Sequence, residues 1–567
     1  MTLKNMLVIQ YLAFGTIVAL CSCSDDDIDI HRVALPETVN QDAVAYVEQN
    51  AKDTKVIENY DFTDGRNYVM SVGENSPSAA ISGQTVEDAK EGLGALAVNY
   101  TFAAKSISTE PEYVTMKEIL GNYRTDLSFH PLGLSLWIKG NSQNPGILRV
   151  MLIQDSKMEP GIQMENQYFQ YINKSILQQD GWQKLIIPYE SFQLYKGLAP
   201  DDKLNLSKVF GYRIDIVNEK DESGTGTVYL DALEQVTSYQ HQYEKKGKFS
   251  SMFIQLNKVY YENPEYDDWE TYFTECKKVG IDTWIVQYSV GYGAENTISW
   301  YSGSTVGWNG EGVQTECPII DKIMNAAEKT GFKIILGLNG GDYNIEKLDD
   351  KWTYDVLLAR NEVVAGDLAR KYADHPSFAG WYITEEFHDA KYPVGWQEEN
   401  KRKLLSDYLT RVATFAKSKC NKPVYIAPAL WRGMPAEMCG EWFGALLKET
   451  ENVDYMYLQD LGGRSLVDVR IDLPNYYGYI KKACEEAGVK FGVDIESFFY
   501  SYYPPVDYRA KTWAELEEQL AVASQYTDLI TNFSWATFKP GYDSFEGYRN
   551  YYTLIPQHFD LTLFISS

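Results

Sequence analysis

The spacing of apolar and polar positions changes twice along the chain. Residues 23–55 are mostly polar and are expected to be an acidic tether with a lead-in. From about Val56 to Val236, short apolar runs alternate between Gly, Asn, Asp and Pro clusters. The runs LSLWIKG (134–140), ILRVMLIQD (147–155), QYFQYI (167–172), WQKLIIPY (182–189), VFGYRIDIV (209–217) and VYLDALEQV (228–236) each predict a strand. An all-β sandwich or jelly roll over 56–239 accounts for them. The polar, basic stretch 240–249 follows and is expected to be a linker.

From residue 250 to 567 strand-like runs alternate with helix-like ones. The strands are expected at SMFIQLN (251–257), TWIVQYSV (283–290), KIILGLN (333–339), GWYITEE (380–386), PVYIAPALW (423–431), DYMYLQDLG (454–462), KFGVDIESF (490–498) and LITNFSWATF (529–538). In KKVGIDTWIV, EKTGFKIILG and EEAGVKFGVD a charged helix closes on Gly and leads into an apolar strand. Gly reaches the left-handed turn that ends a helix without steric cost. Eight strands with helices between them predict a (β/α)₈ barrel. A doubly wound sheet is the competing arrangement, but no Gly-rich phosphate loop follows the first strand.

The strand ends carry the candidate chemistry. Strands buried on both faces are apolar throughout, yet every run here closes on polar or aromatic residues. They are Gln255 and Asn257, Gln287 and Tyr288, Asn339, Glu385 and Glu386, Trp431 and Arg432, Gln459 and Asp460, Asp494 and Glu496, and Asn532 and Trp535. Together they predict a pocket at the C-terminal face of the barrel, where such barrels place their active sites. Glu385 and Glu386 close the stretch FAGWYITEEFHD (378–389), and Glu496 ends the seventh run. Strands 4 and 7 face one another across a barrel, and glycoside cleavage needs two carboxylates flanking the bond. The choice between Glu385 and Glu386 is open at this point, and Asp460 or Asp494 could stand in for Glu496. Glu385, Tyr288, Asn339, Trp431, Arg432, Gln459, Asp460, Asp494, Asn532 and Trp535 are the expected substrate contacts, with Trp535 and Trp431 as stacking platforms.

Composition narrows the function. A net charge of −27 argues against a nucleic-acid partner, which needs a basic surface. The 43 tyrosines and 13 tryptophans suit sugar faces as well as cores. His388 and Asp389 have no second His at a ligand spacing, and the cysteines after residue 23 lack any CxxC pattern, so no metal or other cofactor is expected. Lys4 and the apolar run Met6–Leu20 form a leader too short to span a bilayer comfortably. The run Leu20-Cys21-Ser22-Cys23-Ser24 resembles a bacterial lipobox, which implies a signal peptide over 1–22 and lipidation at Cys23. The acidic run from Asp25 resembles the surface-export signal of Gram-negative polysaccharide-utilisation lipoproteins. The expected location is the outer membrane, at the cell surface or on its periplasmic face.

Other resemblances are carried by longer motifs. GWQKLIIPYESF, KVFGYRIDI and GTVYLDALE resemble strands of the galactose-binding-like β-sandwiches appended to carbohydrate-active enzymes. The placement of Glu386 and Glu496 resembles the retaining (β/α)₈ glycoside hydrolase clan, which implies Glu386 as acid/base and Glu496 as nucleophile. Thr384 and Phe387 depart from that clan's Asn-Glu-Pro. SMFIQLN, HPSFAGWYITEEF, PVYIAPALW and FGVDIESF resemble a little-characterised family of predicted glycoside hydrolases in polysaccharide-degrading bacterial lipoproteins. A retaining glycosidase acting on an oligo- or polysaccharide is therefore expected; the alternative is a glycan-binding lipoprotein whose barrel has lost its chemistry.

Overall fold

The computed structural model describes residues 35–61, 68–73, 76, 78–103, 110–119, 126–155, 166–197, 202–242, 244, 246–263, 267–292, 296–306, 313–340, 353–389, 396–431, 433–464, 467–500 and 507–555. The leader, Cys23 and Arg432 lie outside them.

The C-terminal half is the expected barrel. Its strands are β1 (Ser251–Ile254), β2 (Thr283–Val286), β3 (Lys333–Gly337), β4 (Phe378–Ile383), β5 (Val424–Ile426), β6 (Tyr455–Gln459), β7 (Lys490–Glu496) and β8 (Ile530–Phe533). All pair in parallel in chain order, and β8 returns to β1 to close the ring. The helices are α1 (Trp269–Lys278), α2 (Ile319–Thr330), α3 (Ala359–Tyr372), α4 (Trp396–Lys419), α5 (Ala436–Lys448), α6 (Asp472–Ala487), α7 (Trp513–Ala523) and α8 (Asp543–Leu554). Gly331 (φ 64°) and Gly488 (φ 73°) end α2 and α6 in the left-handed conformation, as their junction motifs predict.

Side chains of a strand alternate between faces, and the barrel sorts them accordingly. Phe253, Ile285, Ile335, Tyr382, Ala427 and Tyr457 form a buried cluster inside the ring. Their neighbours Met252, Trp284, Ile334, Trp381, Ile426 and Met456 join the larger core under the helices. The strands are shorter than the apolar runs that predict them. Ile383 pairs with Ile426, where β5 ends, so the chain beyond Ile383 has no strand to continue along. Glu385 and Glu386 consequently stand on the loop past β4 rather than on the strand.

The N-terminal half is the expected sandwich of two antiparallel sheets, six strands in each. All six predicted runs are strands. Asp53–Glu58, Tyr68–Val72, Ala80–Val86, Ala95–Phe102, Glu112–Ile119 and Gln193–Lys196 add six that the pattern did not single out. Leu96, Val98, Leu136, Val150, Leu152 and Ile214 lie in the core between the sheets. Part of the stretch 23–55, expected to be tether, is built into the domain. Helix Gln41–Asn50 is capped by the Asn40 side chain, and Asp53–Glu58 pairs with the long strand Gly224–Thr237. Among the described residues no helix is long and apolar enough to cross a membrane.

Trp535 follows β8 but turns outward into the core. It is 1% exposed and packs 5.0 Å from the Trp284 ring of β2 and 4.9 Å from Tyr272 of α1. Removing so large a buried side chain costs about 3–5 kcal/mol. Trp535→Ala is accordingly expected to lower the barrel's stability by about that amount in denaturant unfolding.

Candidate active site

The C-terminal strand ends enclose a cavity of about 470 Å³ lined by Gln255, Gln287, Glu386, Gln459, Arg464, Glu496, Phe498, Tyr500, Tyr508 and Phe533. Side-chain alternation explains four of these ten residues. Residues two beyond the inward ring of Phe253, Ile285, Tyr457 and Asp494 point the same way, and they are Gln255, Gln287, Gln459 and Glu496. Phe533 ends β8, and its peptide bond to Ser534 is cis. A two-stranded hairpin after β7, Phe498–Tyr500 paired with Tyr508–Ala510, supplies the aromatic wall. Phe498 stacks on Tyr508 with ring centres 5.7 Å apart.

The two cavity glutamates have different surroundings. Glu386 accepts from the Gln287 side-chain amide at 3.2 Å, and Gln459 is a second amide partner. Burial is the main cause that raises its pKa, against these donors and the Arg464 charge. Glu496 accepts the Gly463 backbone N–H at 2.9 Å, and the Arg464 guanidinium lies 3.8 Å from its other oxygen. Burial and then neighbouring Asp460 raise Glu496, while Arg464 and Lys511 draw it down.

The sequence of residues 249–543 matches the model of the family described as "Domain of unknown function (DUF4434)". The chain belongs to the DUF4434 family. No curated protein matches it. Among solved structures, a candidate alpha-L-fucosidase from Bacteroides thetaiotaomicron VPI-5482 is 19% identical, with 55% of this chain and 95% of that one covered and a TM-score of 0.43. Xylanase10C from Cellvibrio japonicus in complex with xylopentaose is 9% identical over 85% of this chain and 98% of its own, with a TM-score of 0.33. The family 11 carbohydrate-binding module from Clostridium thermocellum is 19% identical over 34% of this chain and 99% of its own, with a TM-score of 0.25. All three are partial resemblances.

The DUF4434 barrel brings some of the predicted residues together and not others. Glu386, Glu496 and Gln459 line the cavity. Tyr288 stands close enough for the Glu386 charge to act on its phenol, which burial chiefly raises. Glu385 turns away: it accepts from Asn361 of α3 at 3.4 Å and has Tyr408 of α4 as a second partner. Asn339 sits in the same buried layer, its N–H bonded to Asn361 at 3.1 Å and its carbonyl to the Thr384 hydroxyl. Asp460 backs Glu496 from behind. One of its oxygens accepts from the N–H groups of Gly462 (3.0 Å) and Glu496 (3.3 Å), the other from Gln519 at 2.7 Å.

Asp494 lies one layer below Glu496, 1% exposed, and its carboxylate oxygens have no partner among the described residues. Burial, then Asp460, Glu496 and Glu386, hold its pKa well up. Asn532 is buried and accepts from Ser497 at 3.1 Å. Trp431 stands outside the cavity lining, its ring 5.6 Å from the Arg464 guanidinium. Trp535 is a core residue and not a sugar platform; β8 ends at Phe533, and that aromatic occupies the cavity. Arg464, Phe498, Tyr500, Tyr508 and Phe533 are the lining residues that the strand-end pattern did not select. Four of them sit on the loop after β6 or the hairpin after β7, beyond any strand periodicity.

Among the described residues no cluster of three or more His, Cys, Asp or Glu side chains is arranged to hold a metal ion. Asp389 instead accepts the backbone N–H groups of Trp431 (2.5 Å), Gly433 (2.5 Å) and Met434 (3.2 Å), fixing the loop after β5.

Burial pushes the Glu385 carboxyl up from 4.5 to about 6. As pH rises, the unfolded chain releases this proton before the folded one does. The stabilisation is therefore complete below about 4.5 and is lost as pH passes about 6, a change of about 2 kcal/mol. Glu385→Gln removes the titration. Denaturant unfolding at pH 4.5 and 7 is expected to show the variant gaining about 2 kcal/mol on the wild type between the two conditions.

Proposed function

We propose that the DUF4434 barrel is a retaining glycoside hydrolase acting on an oligo- or polysaccharide. The observation that carries this reading is the placement of Glu386, from the loop past β4, and Glu496, from the end of β7, on one cavity walled by aromatic side chains. Glu386 is the acid/base. Burial favours its protonated form against its amide donors and the Arg464 charge, as a proton donor to a leaving oxygen requires. Glu496 is the nucleophile. It attacks in its ionised form, which the Gly463 N–H and the Arg464 charge favour against the burial and the Asp460 charge that push its pKa up to about 8.

In the first step Glu496 attacks the anomeric carbon as Glu386 protonates the departing oxygen, giving a glycosyl ester on Glu496. Glu386 then takes a proton from water, which displaces Glu496 and releases the sugar with its configuration kept. Aromatic faces at Phe533, Phe498 and Tyr508 offer stacking surface to the sugar rings. No cofactor enters this chemistry.

Two experiments test the reading. Glu386→Gln and Glu496→Gln, assayed on a panel of plant, host and microbial glycans, are each expected to lower kcat/KM by at least about a thousandfold with glycan binding retained. Proton NMR of the first-formed product is expected to show the anomer of the substrate. Glycan binding without sugar release by the wild type, unchanged in both variants, would favour a binding protein instead.

We also propose that Cys23 carries the lipid that holds the protein on the outer membrane, on the evidence of the leader and its Leu20–Ser24 run. Metabolic labelling with a fatty-acid probe is expected to mark the wild type and not Cys23→Ser. Equal labelling of both would remove the assignment.

A further inference from the structure

The βα loop that serves Glu496 is described over 460–464 and 467–471, and its first part brings the Gly463 N–H and the Arg464 guanidinium to the nucleophile's two oxygens. Its near end is fixed by β6 and Asp460. Its far end is fixed by the sandwich. Lys55, on the sandwich strand Asp53–Glu58, reaches Asp472 at the start of α6 with a 2.5 Å ion pair, and the two side chains are 2% and 4% exposed. The other oxygen of Asp472 accepts the Asp468 N–H at 2.9 Å, and Asp468 in turn accepts the N–H groups of Arg470 and Ile471, each at 2.9 Å. Arg470 returns to the sandwich, 3.1 Å from Asp53 and 3.4 Å from the Thr54 carbonyl.

A second sandwich carboxylate holds the neighbouring helix. Asp126 is buried and accepts the first N–H of α5, from Ala436, at 3.0 Å and the Asn475 side chain of α6 at 3.3 Å. A carboxylate suits a helix start, where N–H groups lack partners inside the helix. In a barrel, helices begin on the face where strands end, which is the catalytic face. The sandwich therefore grips the barrel at the cavity side.

We infer that the sandwich is a strut for the active site, and that Lys55 is a positioning residue which acts through Asp472 and the 460–471 loop to hold Gly463 and Arg464 against Glu496. A buried ion pair broken on one side leaves an uncompensated charge, and the surrounding structure rearranges to admit water. The groups nearest the broken pair are Asp468, Arg470 and Ile471, whose hydrogen bonds converge on Asp472 through Asp468. The catalytic meaning of the strut rests on the hydrolase reading; its mechanical part does not.

The test is hydrogen–deuterium exchange by mass spectrometry on the purified protein with Lys55→Met, and separately with the milder Asp126→Asn. Peptides covering Asp460–Leu473 contain the amides of Gly463, Arg464, Asp472 and Leu473, which are all hydrogen-bonded in the native loop. Exchange there is expected to speed up at least tenfold in Lys55→Met and severalfold in Asp126→Asn, while peptides from β1–β3 keep their wild-type rates. On a substrate of the wild type, kcat is expected to fall with KM little changed. The acid limb of the pH profile should move to higher pH, because Glu496 loses the donors that favour its charge. Unchanged exchange in Asp460–Leu473, or a uniform rise across the barrel, overturns the strut whether or not the protein hydrolyses glycans. Local loosening with no activity in any form keeps the strut and overturns the hydrolase. Should Lys55→Met not fold, Asp126→Asn alone decides by the same criteria.

Discussion

The structure depends on one electrostatic constraint, the gathering of four carboxylates at the mouth of a parallel barrel. Asp494 lies within electrostatic reach of Glu386, Asp460 and Glu496, Asp460 also acts on Glu496, and burial raises all four. Such a cluster is tolerable only where the charged members are paired and the rest hold protons. The partners come from three places: Gly463 and Arg464 on the loop after β6, Gln519 on α7, and Lys511 at the foot of the hairpin after β7. Lys511 bonds Gln519, and Gln519 bonds Asp460, so one chain of contacts links the hairpin, α7 and the loop. Asp494, whose oxygens have no partner among the described residues, is pushed well up by burial and by the other three acids.

This division gives each acid a different task. Glu496 and Asp460 are backed by charged and backbone donors that favour their charged forms against burial, whereas Glu386 accepts from amides beside the Arg464 charge. Glu385, one residue away, belongs to another layer altogether, held by Asn361 and Tyr408 between the strands and the helices. Adjacent glutamates on an extended chain face opposite ways, and here that alternation separates a cavity residue from a buried scaffold residue. The loops that supply Arg464 and Trp431 are fastened in turn by Asp389, Asp468 and the sandwich residues Lys55 and Asp126. The N-terminal domain is thus part of the framework on which the cavity is assembled.

Much of this was legible in the residues alone. The eight apolar runs, the Gly stops at Gly331 and Gly488 and the polar strand ends specify a barrel, because parallel strands buried on both faces have a composition of their own. Glu386 and Glu496 follow from position on strands 4 and 7. Parity could also have separated Glu385 from Glu386, since Tyr382 faces inward and Glu386 lies an even number of residues beyond it. Other features were hidden for physical reasons. Strand ends depend on the neighbour's length, so β8 stops at Phe533, and Trp535 falls into the core beside Trp284. Arg464 and Tyr508 reach the cavity from a loop and a hairpin, where no period marks a side chain's direction. Helix Gln41–Asn50 and strand Asp53–Glu58 are polar enough to pass for a tether, because each buries only a few residues.

In the proposed mechanism Glu496 becomes covalently bonded to the sugar. The most direct measurement is trapping with a 2-deoxy-2-fluoro glycosyl fluoride of a sugar the protein releases, followed by mass spectrometry of the digested protein. The fluorine slows breakdown of the glycosyl ester, so the account predicts a one-sugar mass increase on the peptide containing Glu496 and on no other. An adduct on Glu386 or Asp460, or an enzyme turning over the natural glycan yet acquiring no adduct while the reagent inactivates it, would contradict it.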